Sequence, residues 1–142
     1  MGKLLDKQAL LQKEELEVVK VDLGKDEFVF VRQMTGHERD QFEQSLRREV
    51  KDNKGTVTGY ETALNDFRAK LAVVTMCDDK GVLLLEPRDY MLLSKSMSAL
   101  RLEKIVNEAQ KLNAISEEDK DVLVKNLKAD QEDNSNSGSA NN

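Results

Sequence analysis

The chain's one histidine, His37, stands three residues before Asp40, with Glu43 three further on. A base with an acid one helical turn away is the minimal equipment for proton transfer. The other concentration of reactive types is Cys77 followed by Asp78 and Asp79, one soft ligand beside two hard ones. Neither set is completed. No nucleophile motif, Gly-rich phosphate loop or second histidine accompanies His37, and Cys77 lacks the number and spacing of partners that zinc or calcium requires. The reading assigns no catalytic, cofactor-binding or metal-ligating residue, and treats His37 as an exposed residue in the first turn of a helix whose dipole favours nearby acids.

The elements that would position these residues follow from period and punctuation. In "LEVVKVDL" Val19, Val21 and Leu23 alternate with Lys20 and Asp22, and "EFVFVRQM" continues the β-branched and aromatic run. "GKDE" between them has the length and glycine of a hairpin loop, which predicts an antiparallel hairpin over about 17–23 and 27–33. Thr35 and Glu38 match the S/T-x-x-E capping box, in which each side chain satisfies a backbone N–H of the other residue. The predicted helix runs to about Val50, with Phe42, Leu46 and Val50 on one apolar stripe, and "DNKGTVTG" is a loop. From Tyr60 a helical seam of Leu64, Phe67, Leu71 and Val74 is expected to face the hairpin. "CDDKG" ends it with a turn, leaving Cys77 buried at the helix end. "VLLL" at 82–85 is a strand or an extended connection, and Pro87 suits the first position of the next helix.

"PRDYMLLSKSMSALRLEKIVNEAQKLN" reads as two helices parted near Ser96 and Ser98, either of which can cap the second. The second presents Leu102, Ile105, Val106, Ala109 and Leu112 on one face, with Asn113 stopping it in a left-handed conformation. A last helix from Ser116 carries Val122, Leu123 and Leu127. The first helix is the informative one, because Tyr90, Met91, Leu92 and Leu93 are consecutive and cover most of its circumference. A helix wet on one side needs a single apolar stripe. Either this one is buried all round, or a face of it meets a partner, for which the adaptable thioethers of Met91 and Met97 are suited. Candidate partner-binding residues are therefore Met91, Leu92, Leu93 and Met97.

At 142 residues the chain has room for one domain. The fold class is α+β: an N-terminal antiparallel β-hairpin packed on a bundle of about four to five helices. Residues 1–128 form the domain, which begins with a marginal helix bearing Leu4, Leu5, Leu10 and Leu11. Residues 129–142, whose only apolar type is Ala, form a disordered acidic and polar tail. Net charge is −5 overall; the tail holds three acids and no base, leaving 22 minus 24, or −2, for the body. Such a body has no basic stripe for nucleic acid. Nor does any apolar run approach the roughly 20 residues of a membrane span. One unpairable cysteine and no secretory h-region or myristoylation motif fit a reducing cytoplasm.

Three runs carry a family resemblance: "VFVRQMTGHERDQFE" (29–43), "AVVTMCDDKGVLLLEPRD" (72–89), and "LEKIVNEAQKLN" (102–113) followed by "SEED" (116–119). In order and spacing over about residues 4–127 they resemble the tail assembly chaperones of long-tailed bacteriophages and their prophages. Departures are Glu86 before Pro87, where a better N-cap is common, and Ala114 after Asn113, where Gly is common. The resemblance implies a non-enzymatic factor, without cofactors, in the cytoplasm of an infected bacterium and absent from the virion. Its implied partner is the tape measure protein, a long helix-rich chain kept soluble until tail tube subunits polymerise around it. Weak homo-oligomerisation is implied, as is contact with the tail tube protein through a longer, frameshifted form. A minor connector protein of the tail and a small regulatory binding module are the rival readings.

Overall fold

In the computed structural model the described residues, 2–62 and 64–115, form a mixed α+β fold whose N-terminal hairpin packs on helices. Strands β1 (Val18–Gly24) and β2 (Glu27–Arg32) pair antiparallel with Val21 opposite Val29. Lys25 and Asp26 both take positive φ, 54° and 60°, the requirement of a type I′ turn, which matches the right-handed twist of the strands it joins. Helix α2 (Gly36–Ser45) starts where the capping box predicts: the Thr35 hydroxyl accepts from the Glu38 N–H at 3.2 Å, and Glu38 Oε1 accepts from the Thr35 N–H at 2.9 Å.

The helix stops five residues short of Val50. Ser45 turns its hydroxyl back onto the Phe42 carbonyl (2.5 Å), competing with the helical ladder, and Leu46 closes a tight last turn. The expected last helical turn is instead strand β3 (Arg47–Lys51), paired antiparallel with β4 (Val57–Thr62). Between them Asp52 Oδ1 accepts from the N–H groups of Lys54 (2.8 Å) and Thr56 (2.9 Å), and Gly55 supplies the positive φ. "DNKG" is thus a hairpin turn, and "TVTG" opens a strand. Val50 lies on an exposed strand, off the apolar stripe.

Helix α3 (Phe67–Val73) is correspondingly shorter than the seam from Tyr60. The seam also faces elsewhere. Leu64, Phe67, Leu71 and Val74 belong to a cluster with Phe42, Leu46, Val106, Ala109 and Ile115, while Ala72 and Met76 meet the hairpin. Cys77 is buried as expected but lies in a two-residue strand, β5 (Met76–Cys77), added to β2, so the sheet order is β1-β2-β5. Residues 82–85 are an extended connection bridged once to the sheet at Leu83.

Pro87 opens a 3₁₀ turn (Pro87–Asp89) that leads into α4 (Tyr90–Ser96). Ser98 caps α5 (Ala99–Leu112), accepting from the Arg101 N–H. Helix α5 presents Leu102 and Ile105 to the hairpin and Val106 and Ala109 to α2 and α3. Each Leu, Ile or Val fully buried this way contributes about 1.5–3 kcal/mol. Asn113 itself is not left-handed (φ −103°); the conformation falls on Ala114 (φ 53°). The motif is complete without glycine: Ala114 N–H donates to the Lys111 carbonyl and Ile115 N–H to that of Gln110, the Schellman pattern. Asn113 is instead occupied through its amide, which accepts from the Met34 N–H (2.6 Å) and donates to the Ala109 carbonyl (2.9 Å).

A short N-terminal helix, α1 (Lys7–Leu11), capped by Asp6, buries none of its residues. The helix expected from Ser116 and the tail at 129–142 lie outside the described residues.

Two stability measurements test this account. Glu38 closes the capping box and also pairs, through Oε2, with Arg32 at 2.6 Å, the two side chains being 24% and 10% exposed. Glu38→Ala removes a cap and strands a largely buried guanidinium, so a loss of about 2–3 kcal/mol is expected in denaturant unfolding. Ala114→Gly relieves a left-handed alanine and should raise stability by about 0.5–1 kcal/mol.

Candidate functional site

Three of the predicted partner-binding residues sit on α4 and the fourth, Met97, is the extended residue just past its end; the fold divides them. Leu93 and Met97, one turn apart, pack half-buried against the hairpin cluster. Met91 and Leu92 point outward, 57% and 73% exposed. Burial on all sides is thereby excluded for this helix, which has an anchored stripe and an apolar face in water. Anchoring comes from its polar residues too. Ser94 donates to the Asp66 carboxylate at 2.5 Å, tying α4 to the start of α3, and Lys70 Nζ lies 5.1 Å from the centre of the Tyr90 ring. At the helix entrance, Asp89 Oδ2 accepts from the Glu86 N–H (2.8 Å), compensating for the indifferent residue before Pro87.

Sequence reasoning did not place several further apolar residues at the surface: Phe28 on β2, Val82 and Leu84 on the extended connection, Leu100 in the first turn of α5, and Val50, Val57 and Tyr60 on the second hairpin. For Val82 and Leu84 a signal existed, since an extended segment sends alternate side chains to opposite sides. Leu84 faces water while Leu85 packs on the core.

The two sets of reactive residues lie on separate elements, α2 and the β5 turn. His37 is exposed in the first turn of α2. Of the acids around it, Glu38 pairs with Arg32 and Glu43 with Arg39 Nε at 3.1 Å, while Asp40 is exposed. Cys77 is 1% exposed, and burial pushes its thiol above its ordinary value against the opposing pull of Arg32. Asp78 lies below the usual carboxylate range because the Val82 and Lys80 N–H groups donate to it, which makes it the organiser of the turn. Among the described residues, no group of three or more His, Cys, Asp or Glu is placed to hold a metal ion, and no helix is long and apolar enough to cross a membrane.

No family model, curated protein or solved structure matches the chain.

The buried thiol yields a prediction whose sign follows from burial. A folded-state pKa raised above the unfolded one stabilises the fold below the unfolded value and ceases to do so as pH rises through the folded one. Stability should therefore decline as pH climbs above about 9, the ordinary range for a thiol. At neutral pH an aromatic disulfide reagent should label Cys77 slowly in the native protein and rapidly in denaturant. Rapid native labelling would contradict the burial.

Proposed function

We propose that this protein is a tail assembly chaperone of the long-tailed phage type. It binds the tape measure protein through apolar helix surface and keeps that chain soluble during tail morphogenesis. The observation that carries the reading is the split of α4: Leu93 and Met97 hold the helix to the core, and Met91 and Leu92 are presented to water by a helix that is already fixed. A helical client places its own side chains at i, i+3 and i+4 along such a surface. Methionine on the outward side permits one surface to accept successive, non-identical stretches of a long chain. The resemblance of the three sequence runs supports the same reading.

On this reading the protein works without chemistry on its client, in the cytoplasm of the bacterial host, and leaves before the virion is complete. Many copies bind one client, each weakly, and packing of neighbours along it supplies avidity. A longer frameshifted form would bring in the tail tube protein.

The test is co-expression with the tape measure protein of a long-tailed phage. Met91 and Leu92 are exposed, so the double change Met91→Ser, Leu92→Glu should leave the circular dichroism spectrum intact and stability within about 0.5 kcal/mol. It should abolish co-purification of the tape measure protein. Undiminished co-purification would remove α4 from the site, and recovery of the polypeptide in purified particles would favour a connector role instead.

A further inference from the structure

We infer that β1 is a self-association edge, on which two copies of the chain pair antiparallel about a two-fold axis at Val21 and join their sheets into one. The inference deepens the proposed function only in naming the surface for self-association; it is independent of who the client is.

Among the described residues, strand β1 terminates the β1-β2-β5 sheet on one side. Its outward backbone groups can be assigned from the ladder. Gln33 N–H donates to the Glu17 carbonyl, toward β1, whereas Arg32 N–H donates away from it, to the Thr75 carbonyl at 2.9 Å. Antiparallel strands alternate in this way residue by residue. Val19 and Val21 therefore face β2, and the N–H and C=O groups of Val18, Lys20 and Asp22 face the open edge.

The sequence around Val21 is complementary to itself when reversed. With Val21 opposite its own copy, Lys20 stands opposite Asp22, and Val19 opposite Leu23. Lys20 and Asp22 are the residues whose backbone groups point outward, so each Lys20–Asp22 pair exchanges ladder hydrogen bonds as well as charge. Both side chains are exposed on the sheet face away from α5, where Lys20 Nζ lies 4.2 Å from the centre of the Phe28 ring and Asp22 Oδ1 accepts from the Gly24 N–H at 2.8 Å, so the pairing proposed competes with these contacts; Val21 and Leu23 are buried on the face beneath α5. An edge strand carrying a lone lysine discourages pairing with arbitrary strands. One carrying Lys-Val-Asp discourages all but a strand that presents the reverse order, and a second copy of this chain does so.

The helix layer accommodates the same axis. Helix α5 packs against both β1 and β2, so its axis lies over the space between them. With strands about 4.8 Å apart, two copies of α5 flanking a β1–β1 seam would lie roughly 10 Å apart, an ordinary helix–helix distance. The groove beside β1 that this neighbour would enter is lined by Lys20, Asp22, Lys104, Asn107, Glu108 and Lys111. Its α5 face thus offers both signs of charge around Asn107, as a self-complementary surface requires. The seam itself is short and polar, which makes the association weak and concentration dependent.

Sedimentation of the full chain across a range of concentrations reads the association directly. The native protein should form a reversible dimer, with the amides of Lys20 and Asp22 gaining hydrogen-exchange protection as it forms. Lys20→Asp and Asp22→Lys, each placing like charges opposite one another twice per dimer, should each weaken it about tenfold or more. Combining both changes in one chain reverses the order of the charges and should restore the dimer. Mixing the two single variants should yield a heterodimer tighter than either homodimer. A chain that stays monomeric at every concentration, or a dimer indifferent to both reversals, would overturn the inference. Because the readout is the isolated protein, failure here is distinct from failure to co-purify the tape measure protein.

Discussion

The fold depends on α5 serving two cores at once. Around its axis Leu102 and Ile105 fall on one side and Val106 and Ala109 on the other, and the chain is arranged so that each side finds a different partner layer. The hairpin with Ala72 and Met76 closes over the first. Helix α2 and the Phe67–Leu71 side of α3 close over the second, with Phe42 and Phe67 rings in edge contact at 5.6 Å. A helix with both sides engaged cannot rotate to improve one core without opening the other. That constraint fixes the hairpin relative to α2, which in sequence are joined only by Gln33–Thr35.

The joint itself is polar. Arg32 ends β2, Glu38 begins α2, and their ion pair closes the angle between strand and helix. Asn113, at the end of α5, reaches into the same joint: its amide accepts from the Met34 N–H, and its carbonyl accepts from Arg39 Nη1 at 2.7 Å. Cationic Arg39 at a helix C-terminus also complements the helix dipole. The one discordant group is Arg32 Nε, buried without a hydrogen-bond partner among the described residues. A largely buried ion pair is a weak source of stability and a strong source of geometry, since losing either partner leaves an uncompensated charge. Here it adds a directional contact to the joint that the two cores on α5 already hold in place.

What the sequence revealed and what it concealed divide along the reach of the governing interaction. Local devices were legible: the Thr35–Glu38 box, the Gly24–Glu27 turn, Pro87 at a helix start and the Ser98 cap each act within about four residues. Elements decided by long-range pairing were not. Arg47–Lys51 is charged and nearly patternless as a strand, and becomes one only because "VTGYET", ten or so residues on, folds back over it. The seam through Phe67 and Leu71 was visible as a helix but not its direction, because an apolar stripe does not say which of two cores it enters. Asn113 was recognised as a helix stop by the wrong mechanism: its effect comes from an amide reaching Met34, 79 residues away, while the strained conformation passes to Ala114.

For the candidate surface, composition could show that α4 is too apolar for one stripe, but only the fold could say which two of the four residues are spent inside. The outcome has a mechanical consequence. An apolar side chain exposed on a loosely held helix such as α1, where Leu11 is 76% exposed and nothing is buried, can collapse onto whatever is near, including its own chain. Met91 and Leu92 cannot, because Leu93, Met97 and the Ser94–Asp66 bond fix the helix that carries them. Under the proposed function, a surface held open in this way would lose little conformational freedom if a client helix settled on it, so the modest apolar area of two side chains would be offset less by ordering entropy than the same area on a flexible segment. Weak but immediate binding, repeated along a long chain, is the regime in which such a surface is useful.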